Sequence, residues 1–352
     1  MASDGGAEGT PRRGWLGRIV ALLAVLAVLA AAVAGGGYAA LRYAATMPGP
    51  AAADGVAETV VLYPRGTGLS AIAADLEAKG LVPDARLFKA VAYLERAQGR
   101  LKAGEYAIPS GASMAAIIAQ LAEGRSIQHR LTVAEGLTTA MILRLVRDHP
   151  VLVGDLPPPP PEGALLPETY LFTRGTTRAE LVERMVRDKR ELVDALWDRR
   201  KDGLPIKTKE EAITLASIVE KETGVADERP RVAAVFVNRL RLGMRLQSDP
   251  TIIYGISGGE PLGRGIRQSE LDRITPYNTY QIDGLPPTPI ANPGRAALEA
   301  VLNPPETDEL FFVSDGTGGH AFARTLEEHN RNVANWRRIE RERASQGPSQ
   351  GQ

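Results

Sequence analysis

The segment from Ile19 to Leu41 runs for 23 residues without a charged side chain and is dominated by alanine, valine and leucine. At 1.5 Å of rise per residue a helix of this length crosses the roughly 30 Å hydrocarbon core of a bilayer, so the run predicts one membrane-spanning helix at 19–41. Arg12, Arg13 and Arg18 precede it and Arg42 follows. The positive-inside rule then sets residues 1–18 as a cytoplasmic tail and everything after about residue 42 outside the cell's plasma membrane. Small residues around Ala31 to Gly35 also fit a signal-peptide cleavage site, but 23 residues exceed the usual apolar region of a leader, which favours an anchor. Residues 42–58, with proline, glycine and alanine concentrated between Thr46 and Gly55, read as a linker.

Beyond the anchor the chain has an ordinary globular composition. Of its 352 residues 44% are hydrophobic and 24% charged, and glycine and proline stay well below the share that marks disorder. That length allows two extracytoplasmic domains. Lysine plus arginine equals aspartate plus glutamate at 42 each, so no excess of positive charge argues for nucleic acid as a partner. With no cysteine the chain has no disulfide, thiol nucleophile or zinc–cysteine site. His320 and His329 are nine residues apart with no third ligand at metal spacing, and the DGTGG turn lacks the GK[ST] of a phosphate loop, so neither metal nor cofactor is expected.

A pattern of short strand, glycine turn, Ser or Thr, then helix recurs four times. It is seen in VVLYPRGTGLSAIAADL (60–76), EYAIPSGASMAAIIAQL (105–121), LTVAEGLTTAMILRLV (131–146) and TYLFTRGTTRAELVERMV (169–186). The hydroxyl residues fit helix N-caps and the glycines fit tight strand-to-helix turns. The spacing is uneven, so this is α+β packing and not a solenoid. Between the third and fourth units, five successive prolines at 157–161 favour a polyproline II segment and exclude a helix.

The chemistry is sought on the helix that follows. Thr208 with Glu211 three residues on forms a capping box and Gly224 follows as a C-terminal cap, predicting a helix over 209–223. Ile213, Ala216 and Glu220 fall on one face, which places the Glu220 carboxyl at the end of an apolar stripe. Burial there raises a carboxyl pKa and suits a general acid. Glu222 competes for the role, but two residues along a helix is a rotation of about 200°, so the two side chains cannot face the same cleft. A solvated or ion-paired glutamate is the ordinary alternative for either.

Several later blocks carry groups suited to a carbohydrate. Asn238, Arg239 and Gln247 place donors and acceptors beside an apolar helix, and Tyr277, Asn278 and Tyr280 in YNTY combine stacking rings with hydroxyls and an amide. Asp249 before Pro250 fits a helix N-cap. LFFVSDGTGGHAFAR (310–324) reads as a hairpin with a glycine-rich turn, and Thr325 with Glu328 caps a last helix.

Taken in order, SIVEKET (217–223), NRLRLGMRLQSDPTIIYG (238–255), YNTY (277–280), GLPPTPIANPG (284–294) and DGTGGHAF (315–322) resemble the YceG-like endolytic murein (peptidoglycan) lytic transglycosylases. The resemblance runs from the membrane segment to about Arg337. It implies an α+β protein with a transmembrane helix, a LysM-like βααβ module at 59–130, a mixed α+β catalytic domain at 131–340 and a disordered tail at 341–352. It also implies non-hydrolytic cleavage of the MurNAc–GlcNAc β-1,4 bond inside nascent glycan strands, leaving 1,6-anhydroMurNAc ends and ending glycan elongation. The family's catalytic glutamate is matched to Glu220. Glu162, Asn238, Gln247, Asp249, Tyr277, Asn278, Tyr280 and His320 are the candidate substrate-binding residues. For Glu162, in a block shared with Glu168 and Tyr170, a surface loop entering a strand is the alternative; for His320 it is a packed histidine. Peptidoglycan strands are the expected partner, with wall synthases and division or elongation proteins implied by resemblance, at the inner membrane with the catalytic domain periplasmic. The competing readings are a non-catalytic wall-binding or assembly protein on the same fold, and a muramidase with a second carboxylate from Glu162, Glu168 or Asp249.

Overall fold

The computed structural model describes residues 13–51 and 56–345. The start of the predicted cytoplasmic tail, with Arg12, the middle of the linker and the last residues of the predicted tail lie outside them. The chain divides into two compact units, residues 1–128 and 129–352.

The first unit opens with α1 (Arg13–Thr46), whose apolar side chains are exposed along most of its length. Among the described residues it is the one helix long and apolar enough to cross a membrane. It is longer than the charge-free run, because nothing between Arg42 and Thr46 breaks a helix; the break comes at Pro48 and Pro50. Arg42 therefore sits on the helix and pairs with Glu95 at 2.5 Å, and Ala45 is buried in the unit's core. There follow β1 (Glu58–Tyr63), α2 (Leu69–Ala78), α3 (Ala85–Leu94), β2 (Gly104–Pro109) and α4 (Met114–Glu123). The strands β1 and β2 pair antiparallel with Val61 opposite Tyr106, so the order is βααβ with one more helix. Val61 and Tyr63 point inward while Val60 and Leu62 are exposed, the period-two pattern of a sheet with one covered face. Phe88, Tyr106, Ile108, Ile117 and Leu121 fill the core.

The second unit begins with β3 (His129–Thr132), α5 (Thr139–Asp148), β4 (Thr169–Phe172) and α6 (Arg178–Trp197). β3 and β4 pair antiparallel, and Leu131, Ile142, Tyr170 and Met185 pack beneath them. All four predicted strand-to-helix units are present. Three of their helices are capped by hydroxyls, Ser113, Thr138 and Thr177, whereas α2 starts at Gly68 without a side-chain cap.

A second core of this unit is built from α7 (Lys209–Glu222), α8 (Arg229–Arg241), α9 (Asp249–Ser257), the single turn α10 (Gln268–Leu271) and α11 (Arg295–Leu302). The hairpin of β5 (Phe311–Ser314) and β6 (His320–Ala323) follows, then α12 (Leu326–Ser345). Thr325 with Glu328 forms the predicted box at α12, whereas at α7 the box is half formed. Thr208 accepts from the Glu211 N–H but the Glu211 carboxyl goes to the Lys207 N–H, and the helix ends at Glu222 with Thr223, not Gly224, as its C-cap. α12 continues to Ser345, so the first residues of the predicted tail are helical.

α7 is the centre of this core. Every residue from Thr214 to Val219 is buried, since α6, α8, α9 and α11 all pack on it. The chain at Gly163 lies against it as well. Gly163 adopts φ +82°, and a Cβ there would stand 2.7 Å from Pro289 and 2.8 Å from Ile213. Gly163→Ala should therefore combine left-handed strain with a clash against ring and core atoms and lower stability by about 2 kcal/mol or more. Urea unfolding would measure it, and an unchanged midpoint would show that the contact yields freely.

Candidate active site

The two glutamates of α7 leave the helix on opposite sides, and each meets a different environment. Glu220 turns toward the start of α11. Its Oε2 accepts from the Gly294 N–H at 2.9 Å, and its Oε1 lies 3.5 Å from the Arg229 guanidinium. Buried Lys189 donates to the Pro293 carbonyl from α6, and Glu135 flanks Arg229 at 3.9 Å. Burial, and next the charge of Glu135, raise the Glu220 pKa, while the Gly294 N–H, Arg229 and Lys189 lower it. The same enclosure brings Lys189 down to about 7, through burial. Only 4% of the Glu220 side chain is exposed, and the Gly294 N–H and Arg229 stand against its two oxygens. Glu220 holds the Gly294 N–H at the start of α11, while Lys189 holds the neighbouring Pro293 carbonyl.

Glu222 faces a cavity of about 390 Å³. The walls include Arg239, Gln247, Asp249, Tyr280, His320 and His329. The Ser248 hydroxyl donates to the Glu222 carboxyl. Burial, and next the charge of Asp249, push the Glu222 pKa up to about 7, against lowering by the Ser248 hydrogen bond and by Arg239. This carboxyl holds its proton near neutrality and opens onto space where a ligand can sit.

The turn that presents Ser248 and Asp249 is strained. Gln247 has φ +51°, uncommon outside glycine, and is held there by the Thr279 carbonyl, which accepts from its N–H at 3.1 Å. The Thr279 hydroxyl accepts from the Ser248 N–H at 2.9 Å. Ser248, not Asp249, occupies the N-cap position of α9, and its hydroxyl is spent on Glu222 instead of the helix. The predicted cap is thus displaced by one residue, which leaves the Asp249 carboxylate free to accept from Tyr280 OH at 2.7 Å. Arg239 supports the opposite wall by donating to the carbonyls of Leu310 and Leu246, both at 2.7 Å.

Of the candidate substrate-binding residues, Gln247, Asp249, Tyr280 and His320 line this cavity, and the other four lie elsewhere. Glu162 accepts from the Thr139 N–H at 2.8 Å and from Asn292 at 2.9 Å, with Tyr254 OH at 3.4 Å; burial is the chief cause of its raised pKa. Asn238 donates to the carbonyls of Thr307 and Glu309. Tyr277 shares a hydrogen bond with Thr288 and packs its ring 5.0 Å from that of Tyr254. Asn278 is buried and donates to the carbonyls of Glu270, Leu271 and Arg273. These four stitch loops together. Glu168 is exposed on the approach to β4.

Residues that the sequence reading did not single out include Ser248, Thr279 and Asn292, although each lies inside a quoted block. Asn292 accepts from the Leu165 N–H and donates to the Leu137 carbonyl and Glu162, joining three loops from a fully buried position. Glu228 and Lys189 carry no signal in a single sequence beyond being charged.

A model of the YceG-like family matches residues 61–335. A Bacillus subtilis (strain 168) protein named endolytic murein transglycosylase is 29% identical over 83% of this chain and 88% of its own length. A Streptococcus pneumoniae protein of the same name is 29% identical over 90% of this chain, which spans 64% of that longer relative. A solved yceG-like protein of Listeria monocytogenes aligns with 78% of this chain and 98% of its own at 29% identity and a TM-score of 0.48.

The Glu222 pKa sets a pH test. Its ordinary value is 4.5 and its folded value about 7, so its contribution to stability is complete below the unfolded value and is lost as pH rises through about 7. Above pH 7.5 the ionised, buried carboxylate should cost on the order of 3 kcal/mol. Glu222→Gln should therefore be more stable relative to wild type at pH 8 than at pH 5. Equal differences in urea midpoint at the two pH values would show that Glu222 ionises without penalty.

Proposed function

Because this chain belongs to the YceG-like family, we propose that it is an endolytic murein transglycosylase, cutting the MurNAc–GlcNAc β-1,4 bond within peptidoglycan strands, with Glu222 as its general acid. The observation that carries the residue assignment is that Glu222, not Glu220, opens onto the cavity that four of the expected substrate-binding residues line. Both carboxyls are desolvated, so burial alone does not choose between them. Access does. The match of the family's catalytic glutamate to Glu220 is accordingly revised by two residues, and Glu220 becomes the residue that holds Gly294 behind the site.

In this reading protonated Glu222 gives its proton to the glycosidic oxygen as the bond from that oxygen to the MurNAc anomeric carbon breaks. The oxocarbenium-like centre is then closed by the sugar's own C6 oxygen. The Glu222 carboxylate takes the C6 hydroxyl proton, which restores the acid and leaves a 1,6-anhydro end. Ser248 steadies the carboxyl in both states, since its hydroxyl can donate to the anion. A group poised near neutrality suits both the giving and the taking of the proton.

One observation favours a hydrolytic second reading. Asp249 is close enough to Glu222 to raise its pKa, and a pair of carboxylates is what a muramidase uses. The Tyr280 hydrogen bond engages Asp249, which supports a role in shaping the site over one as a base.

The apolar α1 would hold the enzyme at the bacterial plasma membrane with its N-terminus inside, and the βααβ order of the first unit supports a LysM-like module that grips the glycan. Sacculus binding that survives deletion of residues 59–124 would count against that module's role. Cutting close to the membrane fits termination of nascent strands beside synthases and elongation or division proteins.

The central test is mass spectrometry of fragments released from purified peptidoglycan by the full-length protein in detergent. Anhydro-ended products are expected, with Glu222→Gln reducing the rate by about 10²–10⁴-fold and Glu220→Gln giving the same products as wild type. Loss with Glu220→Gln but not Glu222→Gln would return the acid to Glu220. Reducing ends would establish the hydrolase, and no products from folded wild type would favour a wall-binding protein.

A further inference from the structure

Glu228 stands at the N-cap position of α8, yet its side chain caps nothing. Both of its carboxylate oxygens go to one residue across the core. Oε1 accepts from the backbone N–H of His320 at 2.9 Å, and Oε2 lies 2.7 Å from the His320 Nδ1. Gly319 keeps that approach open, since a Cβ there would stand 2.6 Å from Glu228 Oε1. The Phe312 ring meets the imidazole edge-on at 5.3 Å. The two side chains are 16% and 19% exposed, so the pair is held rather than fluttering at the surface.

The donor and acceptor chemistry of this pair has one consequence for the far side of the ring. An ionised carboxylate only accepts, so Nδ1 must carry a proton, and in a neutral imidazole Nε2 is then a bare acceptor. Nε2 has no hydrogen-bond partner among the described residues, while His320 forms part of the wall of the Glu222 cavity. His329 also contributes to the cavity wall and stacks on Phe311 at 5.1 Å, with its Nδ1 turned into the protein. A cavity wall in which the His320 Nε2 is an acceptor suits a ligand rich in hydroxyls.

We propose that Glu228 fixes His320 as the Nδ1–H tautomer so that its Nε2 accepts a hydrogen bond from a hydroxyl of the bound glycan, orienting that sugar beside Glu222. His320 touches the substrate, and Glu228 is a positioning residue that acts through it. This rests on the reading of the Glu222 cavity as the glycan site. No proton leaves the histidine in this role, so Glu222 remains the only acid and base of the reaction.

The test is nitrogen NMR of full-length protein in detergent, labelled at its four histidines and carrying Glu222→Gln to suppress turnover. His320→Gln, which keeps a polar group of similar size, identifies the His320 signals. The expected spectrum has a protonated Nδ1 and a bare Nε2 at His320, and oligosaccharides prepared from peptidoglycan shift Nε2. Glu228→Gln, whose amide can donate to Nδ1, inverts the tautomer and removes that shift. In the otherwise wild-type enzyme, Glu228→Gln and His320→Ala each lower kcat/KM at least tenfold, and the double variant is no worse than His320→Ala. His320→Gln, which still presents an acceptor, recovers part of the loss. An Nε2 signal unmoved by glycan, a tautomer unaffected by Glu228→Gln, or fully additive losses would each overturn the proposal. Full activity in Glu222→Gln would instead overturn the assignment of the acid, and the tautomer and the glycan-dependent shift would still judge the histidine.

Discussion

Everything around the candidate site depends on the burial of one helix on all sides. α7 has six consecutive buried residues, and its last turn carries two carboxyls into desolvated surroundings. An ionised group there is costly unless something compensates it, so each glutamate has recruited its own partners. Around Glu220 there are three compensating groups, a backbone N–H, a guanidinium and a buried lysine, though burial and Glu135 still raise its pKa. Around Glu222 compensation is partial, a single hydroxyl with Arg239 at a distance and an unfavourable Asp249. Partial compensation is what leaves a proton on the carboxyl at neutral pH.

The loops that close on α7 are tied to one another more than to solvent. Asn292 joins the residues before α5, the residues after the proline run and the start of α11, and the Ser217 hydroxyl adds a bond to the Ile290 N–H at 2.9 Å. Glu162 secures the first turn of α5 from the same junction. This polar network ties together the loops that lead to Gly294, the partner of Glu220. On the other side of α7 the strained Gln247, the shifted cap of α9 and the Leu246 carbonyl taken by Arg239 hold a wall apart from the helix and leave room for a ligand. Strain and unspent carboxyl chemistry fall on the same side of the helix, as expected where a site trades stability for function.

Much of the architecture was legible in the residues. The charge-free run, four strand-to-helix units, the N-cap at Thr208, the capping box at Thr325 and the glycine-turned hairpin at 311–323 are all local signals, and local hydrogen bonding and periodicity decide them. The blocks later found around α7 were also visible as blocks. Within them, however, the division of labour was not. Asn238, Tyr277 and Asn278 resemble sugar-binding groups in sequence but satisfy main-chain carbonyls and loop contacts, because an amide or a phenol serves either purpose equally well.

The sequence by itself determined that α7 carries two glutamates about 200° apart and that only one of them can face a given cleft, since helical rotation is a property of the backbone alone. Only the tertiary structure decided that it is Glu222 that lines the cavity with Gln247, Asp249, Tyr280 and His320. A one-sided apolar stripe pointed to Glu220, but the middle of a helix enclosed by four others has no solvent face, so periodicity does not distinguish the surroundings of its two glutamates. What separates them is whether neighbours from distant parts of the chain close over the carboxyl, as Gly294, Arg229 and Lys189 do, or stand back from it, as the walls of the Glu222 cavity do. Those neighbours meet through packing across more than a hundred residues of sequence, and no local pattern records that distance.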